Sequence, residues 1–166
     1  MATLWLVGMM GVGKSTVGPI VAETLGREFV DTDEEVEHRS GMSVAEWVRH
    51  DLAGFRSLED EVVEELAGGP LAVACGGGVI LSGKSRRLMR RSGMVVWLVA
   101  PLDVLVARLG SAEDRPLLTD DPAVRLRRIL GERRRLYRRA AHAEVDATGT
   151  AEVVAGEVVA AWNAFR

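Results

Sequence analysis

Gly8-Met9-Met10-Gly11-Val12-Gly13-Lys14-Ser15 is the stretch that decides how this chain folds. It fits G-x-x-x-x-G-K-[ST], a loop whose glycines let backbone N–H groups wrap a polyphosphate. The flanks fit as well. The apolar run Leu4-Trp5-Leu6-Val7 precedes it, and residues 17–25 carry a helical pattern. A helix starting there aims its positive end at the same anion. Lys14 should reach the β- and γ-phosphates, and the Ser15 hydroxyl should ligate Mg²⁺. Gly11, Val12, Gly13 and Thr16 belong to the same expected nucleotide site. A chance glycine-rich turn would not have strand and helix in register on its two sides.

Composition strengthens the reading of Lys14. The chain has 21 basic residues, but only Lys14 and Lys84 are lysine. Arginine serves almost everywhere else, so a lysine in the loop is not an accident of usage. A compact ammonium suits a point contact with phosphate in a tight loop better than a forked guanidinium does.

A length of 166 residues fits one domain, spanning residues 1–166, with one full-sized core. The net charge of −3 speaks against nucleic acid as the main partner. A single cysteine, Cys75, rules out an internal disulfide framework. It reads as a small buried hydrophobe rather than a reactive thiol. No Lys or Arg precedes Lys14, no apolar run approaches a membrane span, and a cytoplasmic location is the expectation, with no membrane partner.

Strand patterns fall at 3–7, 28–30, 71–75, 94–98 and 143–145. Helical patterns fall at 15–25, 32–39, 44–50, 55–67, 83–91, 102–109, 122–141 and 151–165. Strands separated by helices predict an α/β fold: a central five-stranded parallel sheet flanked by helices on both faces. Ligands of such sheets bind at the carboxyl ends of the strands, so the residues just after each strand carry the information.

After the second strand comes Asp31-Thr32-Asp33. One carboxylate can support hydrated Mg²⁺, and the other can orient or deprotonate a substrate hydroxyl. Capping of the next helix is the simpler alternative. After the third strand comes Gly76-Gly77-Gly78, which makes sense where a ligand presses against bare main chain. Arg56 is the only basic residue between Asp51 and Glu65. It could fork onto a carboxylate, although spacing alone favours an intrahelical pair with Glu59 or Asp60. Small and polar residues bracket Arg115 in a stretch that reads as a mobile lid at about 110–121, and an arginine there can act on a transferring phosphoryl group. Eight arginines lie between 125 and 139. Most should sit on a solvated helix face, with one or two turned inward.

Taken together, these pieces resemble the shikimate kinases, small P-loop proteins related to nucleoside monophosphate kinases. The resemblance spans nearly the whole chain. It rests on residues 8–18, on residues 25–37 with both aspartates, on Phe55-Arg56 with Glu59, on the three glycines, on Arg115-Pro116-Leu117-Leu118, and on Arg133 four residues before Tyr137. The chain departs from the family pattern at Asp51-Leu52, at Arg135, and at 150–152, where a proline contact to adenine is expected and missing.

The resemblance implies a single-domain P-loop kinase with substrate-side helices at about 32–60. It implies ATP-dependent transfer of a phosphoryl group to the 3-hydroxyl of shikimate, giving shikimate 3-phosphate in aromatic amino acid biosynthesis. Lys14 and Arg115 would stabilise the transferring group. Ser15, with Asp31 through water, would hold Mg²⁺, and Asp33 would hold the acceptor hydroxyl and take its proton. Arg56 and Arg133 would clamp the shikimate carboxylate, Gly77 and Gly78 would approach its ring, and Arg108 would lie near adenine. ATP and shikimate are the implied partners, and a monomer is expected. Two alternatives stand beside this reading. One is a kinase of the same fold acting on another hydroxy acid such as gluconate. The other is a homologue that binds nucleotide without catalysis.

Overall fold

The computed structural model describes residues 2–109 and 121–165. Strand β1 (Thr3–Val7) is buried at every position, as a central strand covered on both faces must be. Helix α1 (Lys14–Leu25) follows the glycine loop. It ends where Gly26, at φ 61°, donates to the Glu23 carbonyl, and Arg27 donates to Ala22 O at 2.8 Å. That paired closure satisfies carbonyls the helix would otherwise leave open. Strand β2 (Glu28–Asp31) leads directly into α2 (Thr32–Ser40), with Asp31 as the N-cap.

Helices α3 (Val44–His50) and α4 (Leu52–Leu66) come next, then β3 (Leu71–Ala74) and a short 3₁₀ turn at Val79–Leu81. Helix α4 begins earlier than the apolar pattern predicts because Asp51 caps it, accepting the Gly54 N–H at 2.8 Å. The rest is α5 (Gly83–Ser92), β4 (Gly93–Val99), α6 (Leu102–Leu109), α7 (Pro122–Ala140), β5 (Ala143–Asp146) and α8 (Ala151–Phe165). All five expected strands are present among the described residues, and so are all eight expected helices.

The sheet is parallel throughout, in the order β2-β3-β1-β4-β5. Helices α1 and α8 pack together on one face, while α5 and α7 cover the other. The main core joins both layers to the sheet, with Trp5, Trp97 and Trp162 among its largest members. A smaller cluster of Val36, Phe55 and Val62 joins α2 to α4. This second core fixes the substrate-side helices beside β2, the edge strand whose last residue is Asp31. Among the described residues, no helix is long and apolar enough to cross a membrane.

Candidate functional site

The carboxyl ends of β1, β2 and β3 meet at a cleft of about 580 Å³. Gly11, Val12, Gly13, Lys14, Ser15 and Thr16 form one wall of it. Gly13 sits at φ 106°, a left-handed conformation that lets the loop turn straight into α1. The Lys14 ammonium curls back to donate to the carbonyls of Gly8 at 2.9 Å and Met9 at 3.1 Å. Burial pushes its pKa below the ordinary lysine value, while Asp33 and Asp31 across the cleft pull the other way.

Opposite the loop, the Asp31 carboxylate does two things at once. One oxygen accepts the Asp33 backbone N–H at 3.0 Å, capping α2. The other accepts from the Ser15 hydroxyl at 2.6 Å. The capping role and the proposed metal-supporting role are therefore compatible, because each uses a different oxygen. Ser15 and Asp31 offer two hard oxygen donors at one point, which fits a cation that keeps most of its waters and takes few protein ligands. Among the described residues, no cluster of three or more metal-ligating side chains exists that could hold a cation unaided.

Asp33 lies in the first turn of α2 and lines the same cleft. Burial raises its pKa, and the neighbouring Asp31 charge raises it further, while Lys14 and Arg56 oppose the shift. Its neighbourhood is built by the glycine loop. Thr32, fully buried, accepts the Gly76 N–H at 2.8 Å and so ties the turn after β2 to the turn after β3.

The glycines are required by the protein's own side chains. A Cβ at Gly78 would collide with the Arg56 guanidinium, and one at Gly76 would collide with the Asp33 carboxylate. Arg56, one turn into α4, donates to Glu59 Oε2 at 2.7 Å, the intrahelical pair that spacing favours. The same guanidinium also lies against Gly78, so the two readings of Arg56 are not exclusive.

Arg133 reaches the loop from the other side. It donates to the Gly77 carbonyl at 2.7 Å, and the Tyr137 hydroxyl shares that acceptor at 3.1 Å. Tyr137 is itself stacked on Trp97, with ring centroids 5.6 Å apart. The Nε of Arg133 is buried without a hydrogen-bond partner among the described residues. The other seven arginines of the 125–139 stretch are exposed. Arg108 donates to Val12 O at 3.1 Å and Ala147 O at 2.7 Å, bridging the phosphate loop to the turn after β5. That turn lines the cleft through Ala147 and Gly149. Cys75 lines it too, but it is buried, and burial drives its thiol pKa far above the ordinary value, as expected of a packing residue.

Two contributors escaped the sequence reading of roles, Thr32 and Tyr137, and a third, Glu59, was read only as a partner for Arg56. Glu59 is 2% exposed, and burial lifts its carboxyl to about 7. Its Oε1 has no hydrogen-bond partner among the described residues. The FRxxE spacing was the available signal for Glu59. Thr32 and Tyr137 act through backbone groups of another loop, which no local pattern reveals. Arg115 and the expected lid at 110–121 fall, except for Asp121, outside the described residues.

A family model for shikimate kinase matches residues 10–163. The chain belongs to the shikimate kinase family. It is 42% identical over 160 residues to shikimate kinase 2 of Shigella boydii serotype 18, covering 93% of this chain and 92% of that one. It also resembles the solved shikimate kinase of Acinetobacter baumannii in complex with shikimate, at TM-score 0.92 and 35% identity, covering all of this chain and 95% of that one. A gluconokinase from Sinorhizobium meliloti superposes at TM-score 0.63 with 19% identity, which is a likeness of fold alone. The family resemblance read from the sequence is therefore borne out, and so is the parallel five-stranded architecture.

Proposed function

We propose that the chain transfers the γ-phosphoryl group of ATP to the 3-hydroxyl of shikimate, with the residues of this cleft in distinct roles. The observation that carries the acceptor assignment is the approach of two arginines to one glycine loop. Arg56 comes from α4 against Gly78 and Arg133 from α7 against Gly77, with Asp33 beside them. Two guanidiniums suit a carboxylate, and an adjacent carboxylate suits hydroxyls. Shikimate carries one carboxylate and three hydroxyls.

On the donor side, loop N–H groups and Lys14 cradle the phosphates, and Arg108 borders the base. Ser15 and Asp31 would hold Mg²⁺, which would supply positive charge against the phosphates when bound. Asp33 orients the acceptor hydroxyl and takes its proton. Its raised pKa suits proton capture, because a weakly basic carboxylate has little drive to accept one. Arg115, outside the described residues, completes the set as a cation on the transferring group, with 110–121 as the lid. A cytoplasmic monomer belongs to the same proposal, and the lone buried Cys75 suits a reducing compartment.

The test is ADP release with shikimate, gluconate and nucleoside monophosphates offered in parallel. Turnover with shikimate alone supports the reading, and faster turnover with gluconate overturns the acceptor assignment. Arg115→Ala should lower kcat by ~10³-fold or more with shikimate binding nearly unchanged.

A further inference from the structure

Behind the phosphate loop lies a second cavity of about 780 Å³, on the α7 side of the sheet. That volume is within the range of ordinary small-molecule sites, roughly 300–1,000 Å³. Its wall is apolar: Val99, Leu102 and Leu130 are half-buried there, and Met9, Val12 and Trp97 close the floor. The rim is charged and of both signs. Residues 127, 130 and 134 share one face of α7, which brings Arg127 and Arg134 to one side of the opening around Leu130.

Glu144 and Asp146 form the opposite side. Strand alternation turns both toward α7, while Val145 between them is 5% exposed and packs into the core. The last strand is thus apolar on one face only. Its other face gives the cavity two carboxylates in place of further core. Among the described residues, none of these four charged groups forms an ion pair with another.

We propose that this cavity is a binding site for a free apolar α-amino acid. The apolar side chain fills the space over Leu130 and Trp97, the carboxylate meets Arg127 and Arg134, and the ammonium meets Glu144 and Asp146. An apolar floor with cations on one rim and anions on the other complements a zwitterion carrying an apolar arm. It suits a simple carboxylate or amine less, because each leaves one charged side unanswered while still losing its own hydration.

Occupancy reaches the nucleotide cleft through the floor. Met9 and Val12 present side chains to this cavity, while their carbonyls hold the Lys14 ammonium and the Arg108 guanidinium. A ligand that fixes those two side chains biases where the carbonyls point. The two sites are therefore coupled, and the coupling is reciprocal: the occupant changes ATP affinity by the factor by which ATP changes the occupant's.

L-Phenylalanine and L-leucine are the probes. Titrated into the ¹⁵N-labelled full chain, either should shift the Trp97 indole and Val12 amide resonances saturably. ATP affinity, measured calorimetrically, should change by about fivefold at saturation. Arg127→Glu and Arg134→Glu sit on an exposed helix face and should fold normally by thermal unfolding. Each should weaken L-phenylalanine by about tenfold without changing ATP affinity in its absence. N-Acetyl-L-phenylalanine and L-phenylalaninamide, each lacking one charge, should bind more weakly by a similar factor. Absence of saturable shifts at 10 mM probe on the order of millimolar affinity overturns the site. Binding of either blocked derivative as tightly as L-phenylalanine itself overturns the zwitterion assignment, and an unchanged ATP affinity overturns the coupling.

Discussion

Glu59→Gln isolates a buried carboxyl beside the cleft. The carboxyl is 2% exposed, and burial raises its pKa from an ordinary 4.5 to about 7 despite the Arg56 guanidinium beside it. The native state thus holds a proton that the unfolded chain has released between these two values. Stability falls as pH rises through that window and levels off above it. Each pH unit is worth about 1.4 kcal/mol, so the full gap is worth about 3 kcal/mol. Glutamine keeps an acceptor for Arg56 and cannot ionise. The variant should therefore be more stable than the parent at pH 8, relative to their difference at pH 4, by about 3 kcal/mol. In a chain of this size that is about 6–12 °C in Tm. Differential scanning calorimetry of both proteins at pH 4, 6 and 8 measures it, and other carboxylates cancel in the comparison. Parallel Tm profiles, or a gap that widens toward acid, would refute the assignment of Glu59 as a carboxylate ionised at a cost.

Lys14→Met should lower kcat by at least ~10²-fold, because it removes the cation proposed to meet the phosphates, and should leave unfolding cooperative, since the fold loses only its bonds to the Gly8 and Met9 carbonyls; near-normal turnover defeats the phosphate-loop roles. Arg56→Ala and Arg133→Ala should each weaken shikimate by about 1.5–3 kcal/mol and leave ATP affinity largely intact, read by calorimetry. They should differ in stability: Arg56→Ala strands the buried Glu59 carboxylate and should cost more at pH 8 than at pH 5, whereas the Arg133→Ala loss should be nearly pH-independent. Thr32→Val keeps shape but deprives the Gly76 N–H of its acceptor, and should cost about 1–3 kcal/mol in urea unfolding while raising the KM for shikimate more than that for ATP. A KM effect confined to ATP would separate the glycine loop from the acceptor side.

The parts of this fold set by local patterning were legible in the sequence. Residues 4–7 form an unbroken apolar run and Gly26 is a recognisable stop, so strands and helices could be placed to within a few residues, although the Asp51 cap that starts α4 early was missed. The phosphate loop was legible because a strained turn, a strand and a helix start must coincide there. Residues whose work depends on strand order were not. The Gly76 N–H meets Thr32 only because β2 and β3 are neighbours, and Tyr137 finds the Gly77 carbonyl only because α7 crosses above that loop. The bareness of Gly76 and Gly78 was read as room for a ligand, whereas among the described residues it is required by side chains of the protein itself. The side chains that need it within the protein, Asp33 and Arg56, could be identified only once the loop's neighbours were known.

The hydrogen bond from Gly76 to Thr32 has a consequence for anyone wishing to redirect this catalyst to a new acceptor. It fastens the turn bearing Asp33 to the turn that Arg56 and Arg133 flank, so the halves proposed to read hydroxyl and carboxylate share one mechanical frame. A lone substitution on either turn displaces the other before it creates a new preference. Acceptor choice in this scaffold should therefore be transplanted as a paired cassette, residues 31–33 with 76–78, rather than accumulated one side chain at a time.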